Sequence, residues 1–393
     1  MKTKLFFICS LLFVIRVNAQ EINFEHNSWA EIKAKAKAEK KLIFMDAYTS
    51  WCGPCKAMAK NTFTNPEVSG YYNSNFVNAK IDMEKGEGLE IAKQYKVSCY
   101  PNLLYIDGDG NLVHRAAGYL DAGEFMALAK TAQTPDKTFS SMQKQYERGN
   151  TNAAFMNEYL KNLSQSCLSA NDAAIKYFAS VKENEMLLPA NWRILNNYIE
   201  DIKAAPFIYL VKNRAAFAVK YTIDSVNTKI FYVYLNEGYK RVFATNKADS
   251  TALYKFKKEI ANIGFERTEE LNLSIDLPYY QETGNWNNYF KTCKTIIEKY
   301  KQKDAGFMNN VCWTLYEKSN DKAQLAEVEK WAKKATEIAP EWAFLDTYAC
   351  LLFKNGKKQE AIATEKKAID LAVAAKQDTK DLEETLKKFE GKN

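Results

Sequence analysis

The segment Trp51-Cys52-Gly53-Pro54-Cys55-Lys56 holds two thiols three residues apart. A pair at that spacing can close a disulfide within one helical turn. When open, it supplies an attacking thiolate with a second thiol behind it. The chemistry is thiol–disulfide exchange: Cys52 attacks a substrate disulfide and Cys55 displaces the substrate from the resulting mixed disulfide. Half of a zinc site has the same spacing but needs two further ligands. The sequence offers only His26 and His114, and no second Cys-x-x-Cys. A structural disulfide is the remaining reading of the spacing, and it has no use for the flanking Trp, Gly-Pro and Lys.

Attack requires a thiol that ionises readily, and a helix starting at Cys52 would provide one. Its first backbone N–H groups are unsatisfied and its dipole is positive at that end, so thiolate is favoured over thiol. Pro54 suits a first helical turn because it has no N–H to lose. The surrounding pattern supplies that helix. Lys41–Tyr48 is an apolar run ending in turn residues and reads as a buried strand, and Lys56–Phe63 has helical periodicity. Ser28 and Glu31 form a capping-box pattern ahead of a helix over Ile32–Glu39. Asn75–Asp82 reads as a second strand, and Leu89–Tyr95 as a short helix after the Gly86-Glu87-Gly88 loop. Asn102–Asp107 and Asn111–Ala117 read as a hairpin around Asp107-Gly108-Asp109-Gly110, and Asp121–Thr131 as a closing helix. The order βα–βα–ββα predicts one α/β domain, a mixed sheet with helices on both faces.

These residues resemble the thioredoxin superfamily over about positions 24–132. The closer resemblance is to the periplasmic terminal domain of transmembrane thiol–disulfide interchange proteins, through Cys52-x-x-Cys55-Lys56-x-Met58 and Thr62-Phe63-Thr64-Asn65-Pro66-Glu67-Val68. The resemblance implies further site residues. Asp46, six residues before Cys52, stands where the family keeps a buried carboxylate that takes the resolving thiol's proton; otherwise it is a surface Asp at a strand end. Val97–Ile106 looks like the cis-proline loop, with Tyr100-Pro101 cis and facing Cys52 so that substrate backbone can pair there. Pro101 could also simply break a strand edge. Trp51, Gly53, Pro54, Tyr100 and Pro101 would then form the substrate-binding surface, and Gly118 falls where the family places a glycine beside the site. Cys99, two residues before Pro101, is either a small packing residue or a third redox thiol able to form intermolecular disulfides. Three positions depart from the pattern: Asn78 replaces a lysine near the buried Asp, Tyr48 a Trp, and Asn102 a Thr.

The Gly53-Pro54 dipeptide matches reducing members of the superfamily. Thioredoxin lies near about −270 mV and the strongest periplasmic oxidant near about −120 mV, a gap of roughly 7 kcal/mol. A reductase or isomerase bias is therefore expected, with no cofactor beyond the Cys52–Cys55 disulfide and no metal. Electrons would come from a membrane-embedded thiol donor, and the substrates would be disulfide-containing proteins.

Lys2 and Lys4 precede an apolar run from Leu5 to Val17, and Val17-Asn18-Ala19 supplies small residues before Gln20. That is the pattern of a secretory signal peptide over residues 1–19, cleaved after Ala19. A periplasmic or secreted protein follows, with no membrane insertion after cleavage. A lipid anchor on Cys9 would leave a hydrophobic region of only Leu5 to Ile8. Removing Lys2, Lys4 and Arg16 lowers the formal charge from +7 to about +4, spread among interleaved Lys and Glu. That balance describes a solvated surface and not a nucleic-acid face.

Thr134-Pro135-Asp136 reads as the end of a thioredoxin-like domain over 20–134. Residues 135–264 read as helical, broken at Gly149-Asn150, Pro189 and Pro206, with a short strand allowed at Ile230–Leu235. Residues 265–393 carry a weak repeat. Gly284-Asn285-Trp286, Ser319-Asn320-Asp321 and Gly356-Lys357-Lys358 are turn signals 35 and 37 residues apart, each between two amphipathic stretches. Leu352–Ile362 with Lys367–Leu371 resembles a tetratricopeptide repeat. The predicted architecture is an α/β thioredoxin-like domain followed by an all-α, tetratricopeptide-like region that recruits substrate or redox partner. Two other functions suit the same residues: a tetratricopeptide adaptor with a weakly active thioredoxin-like module, and a disulfide isomerase with chaperone character. Cys167, Cys293, Cys312 and Cys350 read as small packing residues on helices.

Overall fold

The computed structural model describes residues 21–245 and 247–392. The signal-peptide reading of residues 1–19 lies outside the described residues. Contacts divide the chain into two compact units that join at Lys220 and Tyr221.

The first unit begins with helix α1 (Trp29–Glu39), whose N-cap Ser28 accepts from Glu31 in a complete capping box. There follow β1 (Leu42–Tyr48), α2 (Gly53–Asn61), α3 (Pro66–Asn75), β2 (Phe76–Asp82), α4 (Gly88–Gln94), β3 (Asn102–Ile106), β4 (Leu112–Ala117) and α5 (Ala122–Ala132). Helix α3 is an addition to the expected elements. Asn65 caps it by accepting from the N–H groups of Glu67 and Val68, and Pro66 occupies its first turn.

The sheet order is β2-β1-β3-β4, with β1 parallel to β2 and antiparallel to β3, and β3 antiparallel to β4. Strand β1 is central and needs apolar side chains on both faces. Phe44 points to one face, among Phe63, Tyr72, Leu103, Tyr105 and Phe125. Ile43, Met45 and Ala47 point to the other, among Trp29, Ile32, Val77, Leu104 and Ile106. Since side chains alternate along a strand, Asp46 shares the face of Phe44 and Met58, which is the α2 face.

The chain continues through α6 (Phe139–Glu147), α7 (Ala153–Gln165), α8 (Asn171–Phe178), α9 (Pro189–Tyr198), α10 (Ala205–Lys212) and α11 (Arg214–Tyr221). The expected breaks fall at helix boundaries: Gly149-Asn150 lies between α6 and α7, and Pro189 and Pro206 sit in the first turns of α9 and α10. Both α6 and α7 pack on β4. Buried His114 of β4 accepts the N–H of Phe139 on Nδ1 at 3.1 Å, and desolvation lowers its pKa to about 4.

The second unit comprises α12 (Ile223–Val242), α13 (Ser250–Ala261), α14 (Thr268–Glu282), α15 (Trp286–Lys299), α16 (Ala305–Lys318), α17 (Lys322–Ile338), α18 (Trp342–Lys354), α19 (Lys358–Ala374) and α20 (Lys380–Glu390). The stretch Ile230–Leu235, where a strand was allowed, lies inside α12. Its buried Val226, Ile230, Val233 and Tyr234 recur at helical spacing. Helices α14 and α15, α16 and α17, and α18 and α19 pack in consecutive pairs. The three turn signals fall inside these pairs, and Ala349, Ala361 and Ala368 are fully buried where α18 meets α19. Among the described residues, no helix is long and apolar enough to cross a membrane.

Candidate active site

Strand β1 delivers the chain to Tyr48, the loop Thr49–Trp51 turns it, and α2 begins at Gly53. Cys52 is the N-cap of α2, and its Sγ accepts the backbone N–H of Cys55 at 3.1 Å. That donor is one of the orphan N–H groups of the first turn, so sulfur at this position meets the positive end of the helix. Pro54 stands in the same turn, removing a donor without loss. Cys52 and Cys55 are joined as a disulfide, with Cα atoms 5.3 Å apart. In the disulfide both residues are buried alike, 2% and 3% exposed, while Gly53 and Pro54 between them are exposed.

The cis-proline loop closes one side of the site. The Tyr100–Pro101 peptide is cis. The Tyr100 ring meets the Trp51 ring edge-on, centroids 6.0 Å apart, so the loop lies beside the cysteine motif. Trp51 is 65% exposed, and its Nε1 donates to Glu84 Oε2 at 2.9 Å. Gly118 has φ +90° and donates its N–H to the Pro101 carbonyl at 2.9 Å, tying β4 to the loop.

Buried Arg115 braces the same loop from beneath, and sequence reasoning missed it. Its Nη1 donates to the Tyr95 carbonyl at 2.7 Å, ahead of the loop, and its Nη2 to Asn102 Oδ1 at 3.1 Å, just after it. Asn102 replaces the family's Thr, and here it supplies that acceptor. Burial lowers the Arg115 pKa to about 10, which leaves it charged at neutral pH.

Asp46 is fully buried on the α2 face, not a surface Asp. Desolvation raises its carboxyl to about 6, partly opposed by Lys80, whose Nζ lies 3.6 Å from Oδ2. The family's lysine seemed to be missing, because Asn78 occupies its usual place. Strand register explains the outcome. Asp46 pairs with Lys80 and Phe44 with Asn78, so both β2 side chains share the α2 face and Lys80 is the one opposite the carboxylate. The Lys80 ammonium lies over the rings of Tyr48, Phe24 and Phe63, at 5.1, 5.6 and 5.8 Å from their centroids. Tyr48, which replaces the family's Trp, thereby acquires a partner.

Cys99 and Cys167 correct the expectations made of them. Cys99 is neither a packing residue nor a free third thiol, since it forms a disulfide with Cys167, 68 residues away. Cys167 lies past the end of α7, with φ +54°, and is exposed. The pairing was hidden because it depends on α7 folding back over β4, which neither cysteine signals locally. Cys293, Cys312 and Cys350 are free and buried, as expected, and burial pushes all three thiols well up. Among the described residues, no group of three or more His, Cys, Asp and Glu side chains is arranged to hold a metal ion.

Residues 29–133 match the family model of the thioredoxin-like domain. Among curated proteins, the chain is 32% identical over 123 residues to the thiol:disulfide interchange protein DsbD of Colwellia psychrerythraea, covering 29% of this chain and 20% of that one. It is 33% identical over 105 residues to DsbD of Haemophilus ducreyi, covering 25% and 18%. The chain thus spans about a fifth of the length of these relatives. A solution structure of a candidate disulphide-isomerase from Bacteroides thetaiotaomicron is 44% identical, with 30% of this chain and 96% of that one covered and a TM-score of 0.28. Cap, cis-proline loop and buried carboxylate stand together inside residues 29–133, and that segment is a thioredoxin-like domain.

Proposed function

We propose that the protein is an exported, reductase-biased thiol–disulfide oxidoreductase acting on disulfide-containing proteins. One observation carries the reading: Cys52 caps α2 and accepts the Cys55 N–H, beside the cis Tyr100–Pro101 peptide. In the reduced enzyme the same N–H and helix end stabilise the Cys52 thiolate. That thiolate attacks one sulfur of a substrate disulfide, and the other leaves as a thiolate that takes up a proton. Asp46 accepts the proton of Cys55, whose sulfur then attacks Cys52 Sγ. The second substrate thiol is released and the Cys52–Cys55 disulfide remains. Trp51, Gly53, Pro54, Tyr100 and Pro101 form the docking surface, where half-buried Tyr100 and buried Pro101 present loop backbone to an extended substrate segment.

A dithiol donor must return two electrons to Cys52–Cys55, and a membrane-embedded thiol carrier is the class that an exported reductant requires. The DsbD resemblance supports that donor, and residues 2–19 support export. The paired helices of residues 265–393 support a tetratricopeptide-like surface that recruits substrate or partner. Insulin-disulfide reduction tests the reading. Wild type should turn over and Cys52→Ser should be inactive; equal rates would overturn it. Cys55→Ala should hold substrates covalently on Cys52, and mass spectrometry would identify them.

A further inference from the structure

The Cys99–Cys167 disulfide has no part in the exchange at Cys52, yet it is attached to the surface where substrate would dock. Cys99 is separated from cis Pro101 by Tyr100 alone, and the Tyr100 ring lies against Trp51. On the other side, Cys167 lies in the turn between α7 and α8. Ser98 Oγ donates to the Cys167 carbonyl at 2.9 Å, so loop and turn are joined twice over two adjacent residues. The loop has separate anchors that do not involve this turn: Arg115 to Tyr95 and Asn102, and Gly118 to Pro101. Opening the disulfide therefore removes the covalent tie between the α7–α8 turn and the loop, leaving the Ser98 hydrogen bond and the anchors that fold the loop. Cys167 is exposed and Cys99 half-buried, so an incoming thiolate can reach the bond. The three remaining described thiols are buried and raised in pKa, and do not compete.

We propose that Cys99–Cys167 is a second thiol–disulfide exchange site, and that its closed form clamps the docking loop in the geometry that captures substrate. The proposal deepens the oxidoreductase reading and rests on it. A dithiol of the donor class opens the clamp. Its thiolate attacks Cys167 Sγ, the Cys99–Cys167 bond breaks, and Cys99 leaves as a thiolate that takes up a proton. The donor's second thiol then attacks the mixed disulfide, leaving donor disulfide and two cysteine thiols, with two electrons transferred. A protein or low-molecular-weight disulfide closes the clamp by the reverse exchange. Oxidising surroundings thus pre-organise the docking loop when substrate disulfides are abundant, and reducing surroundings relax it.

Two measurements on the full chain test this. In the first, wild type is equilibrated across ratios of reduced to oxidised dithiothreitol, quenched by alkylation and mapped by mass spectrometry, with circular dichroism followed in parallel. Cys99–Cys167 should open while the circular dichroism stays native; a bond that opens only as the chain unfolds would overturn the proposal. The second compares Cys55→Ala with the clamp intact against Cys55→Ala/Cys99→Ser/Cys167→Ser, without reductant. Mixed-disulfide formation at Cys52 with a model peptide disulfide should be at least fivefold slower in the open form. Alkylation of Cys52 by iodoacetamide, which needs no docking, should agree within twofold. Equal capture rates would overturn the clamp. Cys52 alkylation no faster than that of free cysteine in both proteins would instead overturn the oxidoreductase reading beneath it.

Discussion

Asp46 and His114 are both buried groups that folding prefers to keep neutral, and they oppose each other as pH changes. The Asp46 carboxyl rises from 3.8 to about 6 on folding. The unfolded chain loses that proton near 3.8 and the native chain only near 6. The destabilisation therefore builds across that window and is complete above it, amounting to about 3 kcal/mol. His114 falls from 6.5 to about 4, so its contribution to stability is intact above 6.5 and is lost as pH falls towards 4, again about 3 kcal/mol. In urea titrations of the oxidised wild-type chain these two contributions should accordingly nearly cancel between pH 4 and 6, leaving the slope there to other shifted carboxyls such as buried Glu365. Asp46→Asn should be more stable than wild type at pH 7, by up to about 3 kcal/mol, with the gain gone below pH 4. If Asp46 is the base proposed for Cys55, the same variant should resolve mixed disulfides about 100-fold more slowly in stopped-flow. His114→Asn keeps an acceptor for the Phe139 N–H, and should abolish the acid-side loss of stability while costing about 1 kcal/mol at pH 7. An Asp46→Asn chain no more stable at pH 7 than at pH 4, relative to wild type, would refute the burial assigned to that carboxylate.

Among the elements, close approach decides the packing of α12. A Cβ at Gly238 would lie 2.5 Å from Ile275 Cδ1 and 2.9 Å from Phe256 Cε1, so alanine there would have to displace both side chains where α12 meets α13 and α14. Gly238→Ala should lower stability by about 1–3 kcal/mol through overpacking, although alanine favours helix at an exposed site. A urea midpoint equal to or above that of wild type would show that these helices are farther apart. Such contacts mark where sequence reading ends. The strands, the Cys52 helix start and the Ser28 cap were legible because their causes are local: alternation, helix-end donors and capping side chains. Asp121 was read only as a helix start, and its full capping box with Glu124 needed coordinates. The aromatic and β-branched run Ile230–Leu235 allowed a strand because β propensity ignored the longer helical spacing from Val226 to Val242. Lys80 was passed over for Asn78 because parallel register, two residues either way, cannot be read from one strand alone. The Cys99–Cys167 pair closes over 68 residues and depends on where α7 lies.

At the scale of the whole chain, the residues beyond Thr134 cannot be treated as a separate attachment to a finished thioredoxin-like domain. The family model ends at residue 133, and composition changes at Thr134-Pro135-Asp136. Yet the first compact unit runs on to Lys220. Phe139 is buried and gives its N–H to His114, α6 and α7 cover β4, and Cys167 holds Cys99. A chain ending at 134 would uncover that strand face, orphan the His114 acceptor and lose a disulfide that closes a long loop, worth about 4 kcal/mol in the chain-entropy account. A chain of residues 21–220 should therefore unfold cooperatively in urea and keep the Cys52 alkylation rate of the full protein within twofold. A chain of residues 21–134 should lose at least about 3 kcal/mol relative to it, from the disulfide and the exposed apolar face together. The comparison is to be made with disulfides intact and repeated on Cys99→Ser/Cys167→Ser, which separates the covalent link from the packing. If 21–134 matched 21–220 in both backgrounds, the helices α6 to α8 would be passengers on the domain. A deficit that persists without the disulfide would place the true edge of the redox unit beyond α7, with the substrate-docking face built from both the sheet and its helical extension.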